Sequence, residues 1–145
     1  MVEISKLIDA LYDVLNDDAT LSAYLGKKAG QTKIIKGDNV PELISQPVVQ
    51  IIIMTNEMNT IVKHSEITFK INVYCQGYSD GSINHDEFNN ILQRCEALID
   101  DQDLTVSGNW VYVMYVEGMD SPIADREHDN TYLAGLRCRM SATKL

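Results

Sequence analysis

Apolar and polar residues alternate from Ile67 to Cys75. Ile67, Phe69, Ile71, Val73 and Cys75 fall on one side, and Thr68, Lys70, Asn72 and Tyr74 on the other. A period of two predicts a strand with one face in a core and the other toward water or a partner. Its β-branched and aromatic residues suit a pleated, half-buried surface. Gln76 to Gly81 is a turn-rich break, after which the pattern becomes helical.

Two helices are predicted by three- and four-residue spacing. The first covers Glu3 to Asn16, with Ile4, Leu7, Ile8, Leu11, Val14 and Leu15 on one stripe. Asp18 is placed to cap a short second turn, Ala19 to Leu25, which Gly26 ends. The second helix covers Asn84 to Asp100, with Phe88, Ile91, Leu92, Cys95, Leu98 and Ile99 inward, and Asn84 with Glu87 as a capping pair. Asp100, Asp101 and Asp103 end it against its dipole, so an acid-specific contact or solvation must accommodate them.

Further strands are predicted at Lys33–Lys36, Val48–Met54, Trp110–Val116 and Thr131–Thr143, and the proline-containing Val40–Pro47 as an extended edge segment. The order α, short β, β, β, α, β, β implies a mainly antiparallel sheet with both helices on one face. The expected fold is thus a single two-layer α+β domain over residues 1–145. The opposite face would carry Lys70, Asn72, Tyr74, Arg137 and Arg139. Val48–Met54 and Trp110–Val116 are apolar on both faces, so a lone two-layer domain would leave one face wet and a neighbouring subunit is expected there. Thr55–Lys63 and Glu117–Asn130 read as polar loops, expected to order on assembly.

Composition narrows the function. A length of 145 residues with 45% hydrophobic content fits one globular domain. No apolar run reaches the length of a membrane span, and Met1 to Lys6 does not open a signal peptide, so a cytoplasmic site of synthesis and assembly is expected. Twelve Lys and Arg against 21 Asp and Glu give a net charge of −9, unsuited to gripping a phosphate backbone. Cys75, Cys95 and Cys138 each fall on an apolar face and are expected to be buried thiols without metal.

Candidate chemistry is sparse. His64, His85 and His128 lack metal-ligand spacing, and no nucleophile elbow, phosphate loop or dinucleotide fingerprint occurs. Adjacent acids such as Asp17 with Asp18 and Asp100 with Asp101 read as solvated caps. These motifs assign no catalytic residue, metal or cofactor. Trp110, Tyr112, Tyr115 and Tyr132 fit either a core or an interface, because period alone does not choose a strand face.

The ordering of features resembles the tail terminator, or tail-completion, proteins of long-tailed bacteriophages and prophages. The residues that carry the resemblance are Leu7-Ile8-Asp9-Ala10-Leu11-Tyr12, Asp17-Asp18-Ala19-Thr20-Leu21, Pro47-Val48-Val49-Gln50-Ile51, Phe69-Lys70-Ile71-Asn72-Val73-Tyr74, Ala97-Leu98-Ile99-Asp100, and Asp125-Arg126 leading into Tyr132-Leu133-Ala134-Gly135-Leu136-Arg137. The resemblance spans nearly the whole chain. It implies a non-enzymatic structural subunit of the virion tail or neck, with no catalytic residues, assembled in the bacterial cytoplasm into a ring, usually of six. The ring caps the tail tube and joins it to the head. Its implied partners are copies of itself, the tail-tube protein and the head–tail connector, while DNA passes through the lumen without specific binding and no membrane is involved. The candidate subunit interface comprises Trp110, Tyr112, Arg137 and Arg139, with Asp125 or Glu127 of the next subunit facing the arginines. A head–tail stopper of the neck, a small cytoplasmic enzyme with a cleft under the Glu117–Asn130 loop, and an adaptor domain that binds a peptide along a strand edge are the alternatives.

Overall fold

The computed structural model describes residues 2–26, 34–37, 46–54, 61–62, 66–106 and 110–144. The chain runs β1 (Val2–Glu3), α1 (Ile4–Asn16), α2 (Ala19–Tyr24), β2 (Ile34–Lys36), β3 (Val48–Met54), β4 (Ile61–Val62), β5 (Glu66–Gln76), α3 (His85–Ile99), β6 (Gln102–Val106), β7 (Trp110–Met119), β8 (Ile123–Ala124) and β9 (Thr131–Lys144). Most of the expected Thr55–Lys63 loop lies outside the described residues. Its end, Ile61–Val62, pairs antiparallel with Val2–Glu3.

Local chemistry sets the helices. Leu7, Leu11 and Leu15, at four-residue spacing, are the fully buried stripe of α1. Asp18 has extended backbone and its side chain accepts the Leu21 N–H, so it is the N-cap of α2. Gly26 follows with φ +62°, a conformation glycine adopts without penalty. Asn84 caps α3 by accepting the Glu87 N–H, and Asp86 and Glu87 sit in its first turn, where the dipole favours acids.

The strand expected at Ile67–Cys75 is the centre of the larger sheet. That sheet has the order β2-β3-β5-β9-β7-β6, with β8 added beside β9. Ile71 of β5 sits opposite Ile51 of β3 and Leu136 of β9. The core accordingly gathers Val49, Ile51, Phe69, Ile71, Leu136, Cys138, Met114 and the inward faces of the helices. Every pair in this sheet is antiparallel except β2 with β3.

The expected two-layer arrangement, two helices on a mainly antiparallel layer, is not what forms. Among the described residues, nine strands are accompanied by three helices, and the larger sheet is a curled half-barrel. Helix α1 shows why. It packs against β2 and β3 at one end of the strand order and against β6 at the other. Six strands laid flat would separate the two ends by about 24 Å. A helix is about 10–12 Å across, and a sheet curled around it brings both edges within its reach. Helix α3 fills the concave side against β5, β6, β7 and β9.

Two local differences contribute. Gln102–Val106 is an additional edge strand, with Leu104 and Val106 inward and Gln102, Asp103 and Thr105 exposed. The Glu117–Asn130 stretch is built into the sheet instead of forming a loose loop. β7 continues through a bulge between Val116 and Gly118 to Met119, and β8 pairs with Leu133 and Tyr132. Beyond these strands, the Asp120 N–H donates to the Gly135 carbonyl at 2.8 Å and the Asp125 N–H to the Thr131 carbonyl at 2.9 Å.

The bulge also accounts for the acids that end α3. Asp100 Oδ1 accepts the Val116 N–H at 2.9 Å, next to the irregularity, and Asp101 turns the chain with φ 57°. The contact expected for this acid cluster is therefore a backbone amide of a neighbouring strand.

Candidate interaction surface

The convex face of the sheet collects the side chains that alternation directs away from the core. Lys70 of β5 sits opposite Arg137 of β9, and Arg139 lies between Thr68 of β5 and Tyr115 of β7. Asp120 bridges the first pair, at 3.2 Å from Arg137 and 3.6 Å from Lys70. Glu66 and Glu117 hold Arg139 at 3.2 and 3.1 Å, and its guanidinium lies 5.6 Å from the Tyr115 ring centroid. Three cations thus meet three carboxylates, so this part of the face is close to neutral. Such exposed pairs orient a surface more than they stabilise it. Gly118 makes the arrangement possible, because a Cβ there would collide with the Arg137 guanidinium.

Beside this band, Gln50, Asn72 and Tyr74 form a buried polar cluster. Gln50 Oε1 accepts from Tyr74 Oη at 3.0 Å and Asn72 Nδ2 at 3.3 Å, while Gln50 Nε2 donates to the Gly37 carbonyl at 2.7 Å. Burial, with the charges of Asp125 and Glu127 adding to it, raises the Tyr74 hydroxyl pKa, so it stays protonated and donating. Val48 and Tyr74 pack with Ile35 and Leu133 into a small apolar cluster on the same side. Ile123 is 62% and Met54 50% exposed. The apolar second faces noted in the sequence are therefore covered only in part within one subunit.

The residues expected at a subunit interface separate. Arg137 and Arg139 are on the convex face, as alternation predicts, but within the subunit they engage Asp120, Glu66 and Glu117. Asp125 is turned to His128, 2.5 Å from Nδ1, and its other oxygen accepts the Glu127 N–H at 3.1 Å; Glu127 itself is exposed. Tyr112 is 1% exposed and belongs to the core. Its register opposite Leu104 and the small Ala142 puts it on the concave face, where Ala142 leaves room for the ring. Tyr112 is thereby removed from the interface set. Trp110 opens β7 opposite Lys144, and its side chain is outside the described residues. Asp120, Glu66 and Glu117 were missed because they reach the arginines across strands and around a turn, with no spacing signal in the sequence.

The three cysteines are buried and free. Burial pushes Cys95 and Cys138 up to about 12 and Cys75 higher still, which keeps all three as thiols at neutral pH. Among the described residues, no group of three or more His, Cys, Asp and Glu is arranged to hold a metal ion, and no helix is long and apolar enough to cross a membrane. Clefts indent the surface formed by the described residues. One, of about 330 Å³, lies between the end of α2 and the Gly77–Tyr78 turn, and another, of about 530 Å³, between α1 and β6.

This architecture is similar over nearly its whole length to a chain from the virion of a native gene transfer agent (GTA) particle. The TM-score is 0.66 at 15% sequence identity, covering 94% of this chain and 93% of that one. The fold is shared with a virion chain. A second solved structure matches with a TM-score of 0.57 at 12% identity, over 97% of this chain and 96% of the other. No protein-family model matches the sequence, and no curated protein matches it. At these identities the likeness is one of fold.

Proposed function

We propose that this chain is a non-enzymatic structural subunit of a phage or phage-like particle and, more narrowly, a tail terminator. In this reading it assembles as a ring, of six copies by the resemblance, on the end of the tail tube and joins the tail to the head connector. The observation that carries the reading is the end-to-end fold likeness to a virion chain, which agrees with a resemblance found independently along the same length of sequence. Physical features support it. Both edge strands of the curled sheet have an open side among the described residues, and the convex face is charge-balanced with exposed apolar residues, a combination suited to contact with other subunits. The net charge of −9 lets a duplex pass a lumen by repulsion.

The test is genetic and microscopic. Electron microscopy of the purified protein, with tail-tube protein added, should show rings with a central hole. Deleting the gene from a phage or prophage that carries it should give tails of uncontrolled length. Tails of uniform length that fail to join heads would replace the terminator reading with a neck stopper. Normal, infectious particles from the deletion would end both.

A further inference from the structure

The 330 Å³ cleft opens where β5 ends and α3 begins, and none of the described residues lining it is basic. Glu87 brings a half-buried carboxylate to it and forms no ion pair among the described residues. The Cys75 thiol donates to Glu87 from the core side, which leaves most of the carboxylate's acceptor capacity unused. Gln46 lines the same cleft, and its Oε1 is buried without a donor. Tyr24 and Tyr78 stand at the cleft with 42% and 50% of their surface exposed. The Tyr78 hydroxyl donates to Asn84 Oδ1 at 3.1 Å, which fixes its ring in place. A carboxylate flanked by two exposed aromatic rings suits a guanidinium, which is planar, weakly hydrated and able to stack while it donates.

The chain has four arginines, and three are engaged. Arg94, Arg137 and Arg139 are each held by carboxylates of their own chain. Arg126 is exposed, follows β8, and forms no ion pair among the described residues. The backbone that presents it is fixed: the Asp125 N–H donates to the Thr131 carbonyl at 2.9 Å, and Asp125 Oδ1 accepts the Glu127 N–H at 3.1 Å. The Arg126 turn and the cleft lie at one end of the sheet, since Asn130 Nδ2 donates to the Gly77 and Tyr78 carbonyls at 3.2 and 3.1 Å. They lie on opposite flanks of it. β8 borders β9 on the side away from β5, whereas the cleft extends from β5 to Pro47 at the start of β3. We propose that Arg126 of one copy enters this cleft in the next copy, stacks on Tyr24 and Tyr78, and pairs with Glu87. The guanidinium also brings a donor to Gln46. This inference rests on the ring reading and supplies one of its contacts. Two different patches at one level of the subunit meet head to tail, and such a contact closes into a ring when the rotation divides the circle.

Charge exchange and cysteine pairing test it on the full chain. Arg126→Glu, checked for unchanged circular dichroism, should raise the concentration needed for ring assembly by about tenfold or more. Glu87→Lys added in the same chain should restore assembly. Should Glu87→Lys disturb the fold, the cross-link decides, because the native thiols are buried. Arg126→Cys and Tyr78→Cys proteins, prepared separately, mixed under ring-forming conditions and oxidised, should give a dimer whose linked peptides contain one residue 126 and one residue 78. Rings that form with Arg126→Glu at the wild-type concentration and without the 126–78 link overturn the contact and leave the ring reading standing. Linkage of the Tyr78→Cys thiol to tail-tube protein instead also overturns it, because the cleft then serves another partner. Wild-type protein that forms no ring, alone or with tail-tube protein, overturns both.

Discussion

Asp18 and Arg94 meet in a two-point contact between the start of α2 and the middle of α3: Arg94 Nε donates to Oδ2 at 2.8 Å and Nη2 to Oδ1 at 2.6 Å. The same carboxylate accepts the Leu21 N–H at 2.8 Å, so one side chain caps a helix and ties it to another. The Arg94 hydrogen bonds are the main reason its pKa falls below the ordinary 3.8, with the Leu21 amide assisting against the cost of burial. A depressed folded-state pKa stabilises the protein above the unfolded value, and that contribution disappears as pH falls through the folded one.

Asp18→Ala should cost about 1 kcal/mol through the cap alone. Asp18→Asn keeps an acceptor and should cost less. Urea titrations from pH 6 to pH 2 should show wild-type stability falling below about pH 4 and a shallower fall in Asp18→Asn. Parallel profiles would mean that the pair adds no linkage.

Leu11 lies at the centre of the α1 stripe that spans the opening of the half-barrel and is fully buried. Leu11→Ala should cost about 3 kcal/mol, from lost burial and the cavity left behind, read as a lowered urea midpoint at constant slope.

The cysteines should be inert. A thiol reagent at neutral pH should label Cys75, Cys95 and Cys138 only as fast as the protein opens, and unfolding in urea should release all three at once. Cys138→Ala removes a single buried atom from the side chain and should cost about 1 kcal/mol.

Gly135 faces Asn72 across β9 and β5. A Cβ there would lie 2.8 Å from Asn72 Oδ1, inside the Gln50–Asn72–Tyr74 cluster. Gly135→Ala should destabilise by about 1–3 kcal/mol. Adding Asn72→Ala should recover much of that loss, a coupling that a double-mutant cycle measures directly.

Arg137→Glu with Arg139→Glu would set new carboxylates beside Asp120, Glu66 and Glu117. Because all these groups are substantially exposed, the circular dichroism spectrum should be retained while ring formation weakens. Unchanged assembly would take the convex charge band out of the subunit contact.

The amino-acid sequence by itself determined what depends on neighbours along the chain. Alternation from Ile67 to Cys75 chose the buried face of β5, because successive strand side chains point to opposite sides. Leucines at four-residue spacing chose the buried stripe of α1, and Asp18 and Asn84 declared their caps through bonds that span three residues. The virion resemblance was legible in the same way, as an order of elements. Only the tertiary structure decided what depends on registry and curvature. Tyr112 sits on a strand apolar on both faces, so period could not assign it; Ala142 and Leu104 across the ladder did. Strand β6 was hidden because three of its five side chains are exposed and polar in character, and without it the sheet reads as a flat layer. The curl brings β2 and β6 to the two flanks of α1, and it alone sets an acidic helix side beside an open strand edge. Contacts of that kind join residues about a hundred positions apart, as Asp9 and Thr105 around one groove, and no local period encodes them.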